Sequence, residues 1–229
     1  KAHAINASLY PNLSYDLLRD FSPVIQLCAS TSMVVVHPSL PAKSIADLVK
    51  LAKAKPGAIN YASAGVGTPT FMAVELFKGM AGINLVHIPY RGGGEAMTSL
   101  VSGETSVYFA STGIVLPFVR EGRIRALAVT TAKRLTTPAL KDLPTLAESG
   151  LKDFNVSIWH GLYAPKGTPA DVQKKINEAL KTALKDPEFI KKQEALGAVV
   201  VTDKRVDGPE HKKFVAAEID KWGAVIKAA

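Results

Sequence analysis

The 229-residue chain is poor in the residues that build metal and redox centres. It has one cysteine, Cys28, which rules out an internal disulfide and any multi-cysteine metal site, though not an oxidising compartment. Cys28 lies in an apolar stretch, 24–30, that reads as a strand, so packing accounts for it better than nucleophilic chemistry does. The five histidines (His3, His37, His87, His160, His211) are scattered, with no pair four residues apart, and the sequence encodes no metal site. Aromatic residues make up only 7% and do not interleave with the lysines, which removes a stacking platform for nucleic acid. Apolar runs are strand-sized, as in Met33-Val-Val-Val36, far below the roughly 18 residues of a membrane span. No Walker sequence occurs. Ala62-Ser-Ala-Gly65 lacks the first glycine of a nucleophile elbow, which makes Ser63 a poor hydrolase candidate. Gly65-Val-Gly67 lacks the third glycine of a dinucleotide fingerprint, Thr70 standing in its place. No catalytic residue and no cofactor is indicated.

What is present is globular: 47% hydrophobic and 21% charged residues, enough for a buried core without staples. The net charge of +8 favours an anionic partner. The charge is not blocked, however. Lys174-Lys175, Lys191-Lys192 and Lys212-Lys213 fall on predicted helices among acids, as on a solvated face. Nucleic acid is therefore not an expected partner.

The middle of the chain alternates helix and strand. Ser44-Ile-Ala-Asp47 is a capping box opening a helix with Ile45, Leu48, Val49 and Ala52 at helical spacing, stopped by Pro56-Gly57. Residues 58–62 read as a short strand. Thr68-Pro69 opens a second helix with Met72, Leu76 and Met80 as its buried stripe and Phe77 beside them. Strands at 84–88, 107–110 and 124–130 alternate with helices from 92 to about 103 and 114–120. This order predicts a parallel sheet covered on both faces. The C-terminal part is richer in helix. A strand at 156–164 carries Trp159 and Tyr163. A helix with Val172, Ile176, Leu180 and Leu184 on one face follows, then another from Asp186-Pro187 to Gly197. A short strand at 198–201 and a last helix using Val215, Ile219, Trp222 and Ile226 complete it.

In parallel sheets ligands bind beyond the carboxyl ends of the strands, which directs attention to the strand-to-helix loops at 63–70, 89–94 and 110–113. In Tyr61-Ala-Ser-Ala-Gly-Val-Gly-Thr-Pro-Thr70 the glycines allow close backbone approach, the helix start leaves amides unpaired, and the helix dipole adds partial positive charge. Together these make an anion site without a charged side chain, to which the hydroxyls of Ser63, Thr68 and Thr70 add hydrogen bonds. The other reading is a tight corner with Thr68 as a plain cap, and the motif alone leaves both open. Pro89-Tyr-Arg-Gly-Gly-Gly-Glu95 repeats the geometry, with Arg91 as a carboxylate ligand or a surface residue. Trp159 and Tyr163 line a cleft or belong to a core.

Several strings together form a known pattern. They include His3-Ala-Ile-Asn6, Asp20-Phe-Ser-Pro-Val24, Val35-Val-His-Pro-Ser-Leu-Pro41, Asn60-Tyr-Ala-Ser-Ala-Gly65, Val86-His-Ile-Pro-Tyr90 and Arg125-Ala-Leu-Ala-Val-Thr130. Asp142-Leu-Pro-Thr145, Ala164-Pro-Lys-Gly-Thr-Pro169 and Ala195-Leu-Gly197 continue it. In colinear order over essentially the whole chain they resemble the periplasmic solute-binding proteins of tripartite tricarboxylate transporters, the Bug family.

The resemblance implies an α/β, class II periplasmic-binding-protein-like fold of two lobes with parallel-rich sheets flanked by helices. Residues 1–30 and 156–229 would form the first lobe, incomplete at its N-terminus, and residues 31–155 the second, with hinge strands near 25–36 and 153–163. The chain begins where family members are already inside the first lobe, so roughly a quarter of a typical member would be absent here, its first strand and first glycine-rich ligand loop included. Lys1 opens no signal-peptide pattern, and the resemblance places the protein in the periplasm.

Carried onto this chain, the ligand site is Ser63, Ala64, Gly65, Gly67, Thr68 and Thr70 in the second lobe, with His3, Ala110 and Trp159 around an interlobe cleft. The implied function is non-enzymatic: a monomer captures a small organic acid and presents it to integral membrane transporter subunits. The competing readings are an α/β enzyme acting on an anionic metabolite and a ligand-sensing module. Two departures bear on the ligand. Phe109 is followed by Ala110 where the family often has an acid, which disfavours an amino acid ligand. Phe71 stands where the family often has histidine, which suits an aromatic or aliphatic acid better than citrate.

Overall fold

The computed structural model describes residues 1–135 and 140–228. In chain order the elements are α1 (Ala2–Leu9), β1 (Phe21–Val36), α2 (Ile45–Ala54), β2 (Asn60–Ser63), α3 (Pro69–Ala81), β3 (Val86–Pro89), α4 (Gly93–Ser102), β4 (Val107–Ser111), α5 (Thr112–Arg120) and β5 (Arg125–Val129). Then follow β6 (Ser157–Pro165), α6 (Ala170–Ala183), α7 (Pro187–Ala195), β7 (Ala198–Val200) and α8 (Gly208–Ala228). Two compact units divide the chain, Lys1–Ser30 with Ile158–Ala229 and Thr31–Ser157. β1 therefore contributes residues to both.

The unit Thr31–Ser157 is an open five-stranded sheet in the order β3-β2-β4-β1-β5 with helices on both faces. Local chemistry sets its helix starts. Ser44 accepts from the Asp47 amide while Asp47 accepts from the Lys43 amide, so two orphan donors are met reciprocally. Thr68 caps α3 with Pro69 at its first position, and Gly82 ends it at φ 61°.

The expected parallel ladder holds for β2 with β3 and β2 with β4. It fails at β1, which runs antiparallel to both β4 and β5. α2 joins β1 to β2, and β4 lies between these two strands in the sheet. Alternation then divides the side chains. Ala62, Tyr108 and Ala110 join Met33, Val35, Met97, Leu100 and Val115 in a core under α4 and α5. Tyr61, Ser63 and Phe109 take the opposite face, under α3, where Phe77 packs on Phe109 at 5.4 Å between ring centroids. The buried stripe of α3 is Met72, Ala73, Val74 and Phe77. Met80, expected in it, is 41% exposed.

In the other unit β1 pairs antiparallel with β7, Cys28 opposite Val200, and also pairs with β6. Val24, Ile25, Ala164 and Val200 pack under Ile176, Leu180 and Leu184, with Phe189 and Ile190 of α7. Val172 of the expected α6 stripe is exposed. A separate cluster joins Ala4 of α1, Leu17 and Trp159 to Phe214, Val215 and Ile219 of α8. Gly161 makes room there: an added Cβ would lie 2.3 Å from His211 Nε2. Among the described residues no helix is long and apolar enough to cross a membrane, and no group of three metal-ligating side chains forms.

Candidate functional site

The loop between β2 and α3 leaves the sheet at the carboxyl ends of β2 and β4. Gly65 (φ 115°) and Gly67 (φ 79°) adopt backbone conformations that side-chain-bearing residues avoid, which is what turns the chain so sharply into α3. Several polar groups that the sequence offers to a ligand are spent inside the loop. Ser63 is 1% exposed, its Oγ accepts from the Gly65 amide at 3.0 Å and lies 2.6 Å from His87 Nε2. The Thr68 hydroxyl donates to the Gly65 carbonyl at 2.7 Å and accepts from the Phe71 amide. With that hydrogen used, Thr70 must be the donor in the 3.3 Å Thr70–Thr68 hydroxyl pair. The Thr68 amide makes a 3.4 Å contact with the Gly65 carbonyl.

What remains is main chain. The amides of Ala64, Val66, Gly67 and Thr70 have no acceptor among the described residues. Gly67 and Thr70 are buried, where an unmet amide costs about 1–3 kcal/mol. The start of α3 adds the favourable end of its dipole. Such a cluster can accept a carboxylate or another small anion.

The second glycine loop differs in carrying an acid of its own. Glu95, in the first turn of α4, accepts from the Arg91 amide through Oε2 at 3.1 Å, which sets a negative charge beside that loop and disfavours an anion there. Arg91 itself is exposed.

The remaining sequence candidates do not all join the loop. Ala110 is fully buried, on the sheet face opposite Ser63, within the core under α4 and α5. His3 and Trp159 belong to the other unit. His3 is exposed on α1, its Nδ1 2.6 Å from the Tyr15 hydroxyl. Trp159 is 2% exposed, donates Nε1–H to Glu218 at 2.8 Å and packs edge-on against Phe214, which is a core position. Cys28 is half-buried, and burial pushes its thiol up, away from nucleophilic reactivity.

The residue missed from sequence is His87. In the parallel register it pairs with Tyr61, whose ring stacks on it at 4.9 Å, and it sits diagonally from Ser63. Phe71 closes the other side at 4.7 Å. Burial lowers the His87 pKa, with Glu75 opposing the shift and Lys78 adding to it. The Tyr61 hydroxyl donates to Glu75, which also binds Lys78 at 2.9 Å. Burial, then Glu75, push the Tyr61 phenol up. The Ser63–His87 distance is that of a nucleophile and its base. The serine is covered, however, and no carboxylate meets His87 Nδ1 among the described residues.

The profile of the family described as "Tripartite tricarboxylate transporter family receptor", TctC, matches residues 1–229. The chain belongs to the TctC family. It is 38% identical over 224 residues to the Agrobacterium vitis "UPF0065 protein in the TAR-I ttuE-ttuC' intergenic region", covering 97% of this chain and 64% of that protein. This TctC chain thus spans just under two thirds of the length of that relative. Among solved structures, "R. palustris Rpa4515 with adipate" matches at a TM-score of 0.90 and 32% identity, over 99% of this chain and 74% of that one. "Structure of periplasmic binding protein BugD" matches at 0.90 and 31%, over 99% and 75%. The Bug resemblance drawn from the motifs stands, and with it the periplasmic-binding-protein fold of open sheets flanked by helices.

Proposed function

We propose that this chain is the ligand-binding part of a periplasmic receptor that captures a small organic acid for a tripartite tricarboxylate-type transporter. The observation that carries this reading is the set of unspent main-chain donors at Ala64, Val66, Gly67 and Thr70, two of them on buried residues. They hold one carboxylate of the acid, while Ser63, Gly65 and Thr68 shape the loop and spend their own groups on one another. The structural neighbour "R. palustris Rpa4515 with adipate" supports the carboxylate class. Phe71 beside the loop supports an aliphatic or aromatic body to the acid. The mode is binding without turnover, in a monomer whose partners are integral membrane subunits. The chain crossings at Ser30–Thr31 and Ser157–Ile158 are the proposed hinge.

The test is thermal unfolding and calorimetric titration of the full-length protein against adipate and a panel of mono- and dicarboxylates. A binder gains RT ln(1 + [L]/Kd), about 2.7 kcal/mol at a hundredfold excess over Kd. The acid should be recovered unchanged after incubation. If no acid in the panel moves the melting temperature or releases heat, the reading is wrong. Chemical conversion of a bound acid would instead select an enzyme.

A further inference from the structure

We propose that His87 is a positioning residue for the anion loop and acts through the hydroxyl of Ser63. The inference rests on the carboxylate reading above. It starts from a count of hydrogens. Ser63 Oγ accepts the Gly65 N–H at 3.0 Å and has one hydrogen of its own, with His87 Nε2 at 2.6 Å, and the residue is 1% exposed. A buried hydroxyl hydrogen needs an acceptor, and Nε2 supplies it only in the neutral tautomer protonated at Nδ1.

The surroundings favour the neutral ring. The His87 ring lies between Tyr61 and Phe71, and burial lowers its pKa. The charged groups that reach it, Glu75 and Lys78, are themselves ion-paired and act in opposite directions. The Tyr61 hydroxyl is turned to Glu75, so it does not compete for Nε2.

The consequence reaches the ligand amides through Gly65. Its N–H is held by Ser63 and its carbonyl by the Thr68 hydroxyl, so both sides of a residue at φ 115° are pinned. Those pins fix the two peptides that flank Gly65, the second of which carries the Val66 amide, and through them the course of the turn that presents Ala64 and Gly67. Without an acceptor at position 87, the Ser63 hydroxyl turns to another oxygen, releases the Gly65 N–H and loosens the turn. His87 thus bears on affinity without touching the acid.

His87→Phe keeps a ring between Tyr61 and Phe71 and removes the acceptor. His87→Gln places an amide oxygen close to where Nε2 stood. Against adipate, or whichever acid the panel selects, His87→Phe should bind about tenfold more weakly, and His87→Gln should recover most of that loss. Nitrogen-15 spectra of the imidazole in the wild-type protein at pH 7 should show Nε2 unprotonated. Undiminished binding by His87→Phe, equal weakening in both variants, or a proton on Nε2 would each overturn the inference. The spectrum decides even if His87→Phe does not fold. A wild-type protein that binds no acid fails at the carboxylate reading itself, which these variants do not confuse with the role of His87.

Discussion

Gly65→Ala measures how firmly the anion loop is held. Space is not the obstacle, since an added Cβ would meet the Tyr90 carbonyl oxygen at 3.6 Å, an ordinary contact. The obstacle is φ 115°, a region that residues with a side chain enter at a cost of about 1–3 kcal/mol. The loop cannot relax cheaply. Rotating the Gly65 peptides breaks the bond from its amide to Ser63 and the bond to its carbonyl from Thr68, each worth about 1 kcal/mol net. Keeping the turn and losing it therefore cost about the same, and the penalty emerges as lower stability or weaker acid binding. The sum of the two losses should be about 1–3 kcal/mol, read from urea unfolding midpoints and from calorimetry with the selected acid. Gly79→Ala is the matched control on α3. It has nothing within 4 Å of the new Cβ and no unusual φ, and should gain about 0.5–1 kcal/mol from helix propensity. A Gly65→Ala protein as stable and as tight-binding as the parent would show that the pinned turn is not what presents the amides.

Gly161→Ala should cost at least about 1–3 kcal/mol by urea unfolding, because the new methyl would fall 2.3 Å from Nε2 of His211, which Trp159, Tyr163 and Phe214 enclose. Most of that loss should vanish in a His211→Ala background; a penalty of the same size there would place the clash elsewhere. His211 also sets an acid limit on stability. Burial lowers its pKa to about 4, with nearby positive charge adding to the effect, against about 6.5 in the unfolded chain. The unfolded state therefore takes up the proton first. The stabilisation is complete above pH 6.5 and is lost as the pH falls toward 4, to a total of about 3 kcal/mol. His211→Leu should flatten the fall in urea midpoint between pH 7 and pH 4, and parallel curves for the two proteins would rule out His211 as the cause.

The elements with local signatures were legible. The Ser44–Asp47 box and Thr68-Pro69 begin α2 and α3 as read, because capping needs only neighbours in sequence. α1 was not read. Lys1 offers no capping side chain bond and the segment is short, so its helical state depends on packing against α8. For β1 the apolar pattern alone predicts separate stretches, since Ser30, Thr31 and Ser32 interrupt it, and only the resemblance implies a hinge strand across 25–36. Pairing with β7 on one side of the interruption and with β4 on the other makes it one 16-residue strand. At the site, the glycines announced the loop, but not which of its donors would be spent. That depends on where Ser63 and Thr68 turn their hydroxyls. His87 looked like one more scattered histidine because its partner lies 24 residues away. The signal lay in strand pairing: once β2 and β3 are set parallel with Tyr61 opposite His87, Ser63 is its diagonal neighbour.

Comparing the two glycine-rich helix starts shows that the anion site is more a turn than a helix terminus. At α4 the first-turn acid, Glu95, folds back on the Arg91 amide and sets a negative charge beside the loop. At α3 there is no acid in the first turn, yet the helix offers little by itself. Pro69 has no N–H, Thr68 takes the Phe71 amide, and the Met72 amide goes to the Thr68 carbonyl, which leaves Thr70 alone. The other open donors, Ala64, Val66 and Gly67, belong to the turn. Placing an acid at Phe71 would therefore do less harm than the dipole argument suggests, because one helical amide is at stake. Changing the turn at Gly65 or Gly67 would affect three. The chemistry of the loop resides in its two positive-φ glycines and in the bonds that fix the peptides between them.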